Sequence, residues 1–427
     1  MGRITSRAIL VLAVSAGMAL ACPALGLAGN WPGWRGPAGA GVSDEKDLPV
    51  SWNGKTGENI LWKVPLPKTT GHSSPIVWQD RLFISTAVKQ TGEQEKAKEV
   101  PEHHLLCLQA SDGKLLWTTP IQPGKNVAGY AIYAVPTPVT DGKAVYCWFG
   151  SSVLVAVDFD GRLLWRKERQ GAFLQNPNLL NPGICSSPTL YEDTVILLFD
   201  QGRGGGWLQG IDKKTGEVKW EKKRDKSDSC NTSPVILNVN GKPQLIVAGT
   251  KTLEGLNPAD GEPIWWCKSI NFGESPVFGG GLVYSDKGCN ELAEAVDPTG
   301  QGDVTQTHVK WKIEKSPGDY SSAVIAGDLI FKTQKEGQIA CLTLATGETV
   351  FTAPLEGVSK LASPVATADG RVYFVSTGKS YVIKAGRALE VLGKGDLGGW
   401  GNGSSPALAG GKIFVRDFEN LWCIGRK

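Results

Sequence analysis

Among 427 residues there are two methionines and four histidines, and acidic and basic side chains nearly cancel at 42 against 45. So even a balance gives no electrostatic footprint for nucleic acid or an anionic membrane. The few histidines show no spacing that would assemble a Cys–His nucleophile. No two cysteines are adjacent and no Cys-x-x-Cys-His occurs, so haem c attachment is not encoded. No kinase motif is present. Beyond the N-terminus no stretch keeps a helical apolar period, and no second apolar run suggests a membrane span.

The one long apolar run is itself short. Arg3 and Arg7 precede residues 8–20, and small residues follow, which reads as a signal peptide cut after Ala21 or Ala28. Cys22 offers lipid attachment instead, but the preceding Ala-Leu-Ala lacks the expected Leu, and ordinary cleavage is the reading taken. The predicted organisation is a signal at 1–28, a Trp-rich segment at 29–56 and one repeat domain at 57–427. The product is expected in the periplasm or at the cell envelope of a bacterium, as a monomer.

What the chain has in quantity is a repeat. A small or polar pair, a proline and apolar residues occur as His72-Ser-Ser-Pro75, Val135-Pro-Thr-Pro138, Cys185-Ser-Ser-Pro188 and Asn231-Thr-Ser-Pro234. They continue as Gly273-Glu-Ser-Pro276, Tyr320-Ser-Ser-Ala323, Leu361-Ala-Ser-Pro364 and Gly403-Ser-Ser-Pro406. The steps are 63, 50, 46, 42, 47, 41 and 42 residues, a period typical of radial or stacked repeats. Each motif leads into β-branched and aromatic strands, then an Asp-Gly or Thr-Gly hairpin, then a strand carrying Trp117, Trp165, Trp220 or Trp265. Phe351 replaces the tryptophan in the sixth copy, and the seventh is degenerate.

The predicted fold is therefore all-β, an eight-bladed β-propeller of four-stranded blades. The last repeat has three strands, and its missing tryptophan strand stands at residues 59–66. The N-terminal strand is thus expected to complete the C-terminal blade, closing the ring.

The tail Asp-x-x-Thr-Gly-x-x-x-Trp, seen at Asp212 to Trp220, resembles the pyrroloquinoline quinone (PQQ) repeat of quinoprotein alcohol dehydrogenases and BamB-like envelope propellers. The resemblance covers residues 57–427, and Trp31-Pro-Gly-Trp-Arg-Gly-Pro37 is similar to the start of secreted propellers of this type. The resemblance implies either of two functions. One is a non-enzymatic scaffold that binds a protein or small ligand at the cell envelope, with no cofactor. The alternative is a quinoprotein oxidoreductase acting on alcohols or sugars with PQQ and calcium. Against the second, the chain lacks the vicinal cysteines, the haem motif and the long insertions of those enzymes. No metal site is expected: Asp158-Phe-Asp-Gly161 lacks later calcium ligands and reads as a hairpin turn, and His103-His104 reads as part of a solvated loop. Gly202 to Gly206 reads as a flexible loop.

Segments just before each motif are predicted to ring one funnel. They offer His72, Tyr133, Cys185, Asn231, Glu274, Tyr320, Lys360, Trp400 and Asn402 as candidate ligand- or partner-binding residues. The long loops 122–137 and 168–186 border the same face. Cys185 and Cys230 are close enough in the repeat to allow a disulfide, with buried thiols as the alternative.

Overall fold

The computed structural model describes residues 29–66, 69–88, 92, 99–125, 133–169, 184–200, 206–224, 230–271, 273–288, 291–399 and 403–427. The signal segment with Cys22, Gly202 to Gly205, most of the 89–102 run and the asparagine-rich part of the 168–186 loop lie outside them. Among the described residues there is no α-helix, only strands and one short 3-10 turn at Lys335–Gly337. Strands win because the apolar residues alternate or run in blocks of five to seven, and glycine turns interrupt any longer period.

The expectation of an eight-bladed propeller of four-stranded blades is corrected: the propeller has seven blades, and an eighth sheet closes the ring between them. Seven blades are each complete within one stretch of chain: 69–121, 139–168, 189–224, 235–268, 277–313, 324–354 and 365–396. The remaining sheet is a seam shared by both ends of the chain. Ala407–Ala409, Lys412–Arg416 and Asn420–Gly425 take Ile60–Pro65 as their outer strand, antiparallel, with Ile60 opposite Ile424. Blades also exceed four strands. Val42–Ser43 and Trp52–Asn53 add in parallel to the two edges of the seventh blade, and Gly302–Asp303 adds to the outer edge of the fourth. The motif counts inner strands; it does not report what is added to an edge.

In all seven blades the third strand carries a register shift close to its hairpin, as at Cys107/Leu108, Ala156/Val157 and Gly210/Ile211. Such a bulge sharpens twist. The residue opposite the tryptophan is small in these strands (Cys107, Ala156, Gly210), so the indole lies across it and reaches the next sheet. There Trp62, Trp117, Trp165 and Trp311 donate Nε1–H to the carbonyls of Ala110, Phe159, Lys213 and Leu344 at 3.2, 2.9, 2.9 and 2.8 Å. The hairpin glycine is needed twice over. Gly161 has φ +87°, and a Cβ there would stand 2.9 Å from the Trp117 ring.

The motif itself does something the sequence reading did not foresee. The third residue of each motif, before the proline or Ala323, points its hydroxyl at the backbone of the preceding repeat. Ser74 N–H donates to Thr137, Thr137 to Ser187, Ser187 to Ser233, Ser233 to Ser275 and Ser275 to Ser322, at 2.9 to 3.0 Å. Ser322 donates to Ser363, Ser363 to Ser405, and Ser405 back to Ser74, at 3.1, 2.9 and 3.0 Å. The result is a closed girdle around the axis with every N–H satisfied.

The N-terminal segment crosses one end of that girdle. Trp31 pairs with Val77, Pro32 O accepts from Thr140, and Trp34 donates to the girdle hydroxyl of Ser275 at 3.2 Å. Arg35, 1% exposed, donates to the carbonyls of Ala323 (2.6 Å), Pro364 (3.2 Å) and Ala40 (3.2 Å), and burial pulls its guanidinium down to about 9. The seam is secured from the other end by Arg416, fully buried. Its Nη1 donates to Ser73 O and Oγ and to Ser85 O in the first blade, at 3.3, 3.1 and 3.1 Å.

Replacing one girdle hydroxyl tests this account. Ser275→Ala strands the Ser233 N–H and the Trp34 indole, so about 1–3 kcal/mol of stability is expected to be lost. Urea unfolding should show a lower midpoint with an unchanged slope.

Candidate ligand site in the central channel

Residues alternate across each inner strand, so the first and third positions of every motif face the axis and the second faces its own blade. The channel wall therefore consists of two tiers. The girdle hydroxyls form one, with Trp34 beneath them. Above lie His72, Val135, Cys185, Asn231, Gly273, Tyr320, Leu361 and Gly403, around a cavity of about 150 Å³.

Of the sequence candidates, His72, Cys185, Asn231 and Tyr320 come together here. Four others do not. Tyr133 is 1% exposed and packs with His103 and Phe149 between the first two blades. Glu274, a second-position residue, is turned into the interface of the fifth and sixth blades, while Lys360 is exposed and its neighbour Leu361 takes the wall position. Trp400 and Asn402 lie outside the described residues, as do Tyr130, Phe173 and Asn176, Asn178 and Asn181 of the two long loops. The sequence signal for sorting these was the alternation within the motif, which separates Glu274 from Gly273 and Ser275.

The wall groups are held in fixed protonation states. His72 Nδ1 accepts from Gly403 N–H at 3.0 Å, so the neutral ring carries its proton on Nε2. Burial, with the Arg416 charge adding to it, pulls His72 down to about 4, and Phe418 lies edge-on at 5.2 Å. Burial pushes the Cys185 thiol up to about 12. Cys185 and Cys230 are separate thiols, so the disulfide reading gives way to the alternative; Cys107, Cys341 and Cys423 are buried thiols on their strands. The mouth of the channel is apolar and open: Tyr320 is 50% exposed, Leu361 41% and Phe418 40%.

Two buried polar clusters flank the channel and were not legible beforehand. Lys332 pairs with Asp286 and donates to Tyr284 Oη at 3.1 Å, and Tyr284 donates to Asp286 at 2.6 Å. Glu274 lies beside them with both carboxylate oxygens unbonded, so burial raises it while burial lowers Lys332. His103 is the other surprise. It begins the strand His103–Gln109 and does not belong to a solvated loop; its Nε2 lies 2.6 Å from Ser151 Oγ and its ring stacks on Phe149 at 4.6 Å. Asp158 accepts from Asp160 N–H and Arg162 N–H at 2.9 Å, a hairpin turn as expected. Among the described residues no three His, Cys, Asp or Glu side chains converge, and no helix there is long and apolar enough to cross a membrane.

Repeated sheets, docked tryptophans and a plugged axial channel define a β-propeller of PQQ-type repeats. A family model described as outer membrane protein assembly factor BamB matches residues 101–352 and 289–392, and the chain belongs to that family. No curated protein sequence matches it. Among solved structures, BamB from Moraxella catarrhalis is 14% identical and superposes with a TM-score of 0.60 over 86% of this chain and 97% of that one. A computationally designed protein, Ika8, is 10% identical (TM-score 0.56, 89% and 100% covered). A europium-containing methanol dehydrogenase is 12% identical (TM-score 0.52, 90% and 89% covered). An assembly factor, a design and an enzyme share this fold, so it carries no function by itself.

The pinned state of His72 predicts a pH dependence. Its folded value lies below the ordinary value near 6.5, so the unfolded chain takes up a proton first as pH falls. Stability is expected to drop by about 3 kcal/mol between pH 6.5 and 4 from this group. His72→Asn, which keeps an acceptor for Gly403, should flatten that part of the urea-unfolding profile.

Proposed function

We propose that this protein is an exported, non-enzymatic propeller that holds an apolar segment of a protein partner at the channel mouth, at the bacterial cell envelope. One observation carries the reading. The mouth sets exposed Tyr320, Leu361 and Phe418 around His72, on a girdle that cannot flex without breaking hydrogen bonds. Exposed apolar side chains gathered on a rigid rim suit recognition. The wall supports binding over turnover: the His72 acceptor is occupied, its N–H is a fixed donor, and the Cys185 thiol stays protonated. The family's role in outer-membrane protein assembly agrees with an envelope setting.

The quinoprotein alternative requires a carboxylate at the wall to hold calcium and take the alcohol proton. The described wall has none, because Glu274 faces the blade interior. A cavity of about 150 Å³ is also small beside the usual 300–1,000 Å³, a rough range for ligand sites. Among the described residues the wall does not fit a quinone and its cation.

Two measurements test the proposal. Cross-linking of the full chain in its native envelope should give reproducible partner cross-links from the mouth, and Tyr320→Ser with Leu361→Ser should abolish them. Adding PQQ and calcium to purified protein should leave the quinone absorbance unshifted and dye reduction with alcohols at background; a shift at micromolar quinone would overturn the reading.

A further inference from the structure

The contact between the third and fourth blades departs from the contact before it. At the earlier junction, Trp165, Lys167 and Arg169 share one face of an outer strand. Arg169 lies over the Trp207 ring at 4.5 Å and bonds Glu221 at 2.6 Å, which fills the space between the blades. Trp220, Lys222 and Arg224 hold the same positions one blade on. There Thr252 stands where Trp207 stands, since each lies three residues before the glycine opposite the tryptophan (Gly210 and Gly255), and Trp266 stands where Glu221 stands. Arg224 is held by Asp200 of its own blade, at 2.9 and 3.0 Å, and by Glu254 of the fourth blade at 2.7 Å, with no ring at Thr252 for it to cover. The Trp220 indole N–H, bonded at four other junctions, is buried without an acceptor.

The space left behind is a cleft of about 360 Å³. Its apolar lining is Leu208, Leu256, Pro263 and the face of Trp266. Lys222, Lys223, Arg224 and Lys251 bring positive charge, against one acid, Glu254. Lys222 is neutralised by Glu262, and Arg224 by Asp200 and Glu254. Lys251, exposed at the rim, has no acidic partner among the described residues. The position of Trp266 carries Thr118, Arg166, Glu221, Lys312 and Thr352 in other blades, so a large aromatic here is peculiar to this junction.

We propose that this inter-blade cleft binds an amphiphilic organic anion, with a flat apolar body against Trp266 and Leu208 and a carboxylate at the Lys251 ammonium. The site is separate from the channel mouth and does not depend on it. Aromatic contact supplies the binding area, and the uncompensated lysine selects the charge.

Calorimetric titration of the full chain tests it, with 2-naphthoate as probe and 2-naphthamide and 2-naphthylmethylammonium as its neutral and cationic counterparts. Saturable binding of naphthoate is expected, about tenfold weaker for the amide, which corresponds to the loss of one charged contact. Lys251→Met should weaken naphthoate about tenfold and leave the amide unchanged, while Trp266→Ser should weaken both. Both side chains are at least partly exposed, and unchanged thermal unfolding would show the variants intact. A shift in unfolding for Trp266→Ser leaves the Lys251→Met comparison to decide. No saturable binding at millimolar naphthoate, equal or tighter binding of the cation, or naphthoate binding indifferent to Lys251→Met would each overturn the proposal.

Discussion

Everything in this molecule hangs from the circle of hydroxyl-to-amide hydrogen bonds at its axis. Inner strands of a propeller converge where there is no room for a ladder between sheets, so their first amides have no strand partner. The residue before the proline answers this from the neighbouring repeat, and the proline removes the next donor altogether. Because each bond links adjacent sheets, no blade can tilt alone. Buried in a setting of low dielectric, such a chain of bonds is stiffer and costlier to interrupt than separate ones.

Charge is buried to support that circle. Arg35 anchors the crossing segment to carbonyls at the bases of two repeats, and Arg416 ties the seam to the first blade. Neither has a carboxylate in contact. Each is solvated by carbonyls and hydroxyls, which explains why burial pulls both guanidinium groups down, Arg416 to about 10. Guanidinium suits this task because its planar fork reaches several carbonyls at once.

The sequence was most legible where spacing carried the information. Motif steps gave the inner strands, and the stray tryptophan strand at 59–66 gave the seam, because both are local patterns repeated many times. Blade number and strand count were less legible: the motif counts inner strands alone, and the parallel additions of Val42–Ser43 and Trp52–Asn53 depend on where a non-repeating segment lies in space. The candidate site was half legible. His72, Cys185, Asn231 and Tyr320 follow from the motif's first position, whereas Glu274 was misassigned because strand alternation inside the motif was not applied. Tyr133 and His103 misled for a different reason, since aromatic and polar residues near a loop also serve inter-blade packing. Nothing in the spacing could reveal that Arg169 would cover the Trp207 ring of the next blade, whereas Arg224, alike in sequence, would also pair with Asp200 of its own.

The seam has a consequence for how the protein comes into being. Residue 60 meets residue 424, so the circle stays open until the strand Asn420–Gly425 has been made. A chain threaded outward from its N-terminus would carry an unpaired edge strand throughout its emergence. Closure therefore waits for Asn420–Gly425, and a chain stalled or clipped near residue 420 would leave an open arc with two unpaired edges.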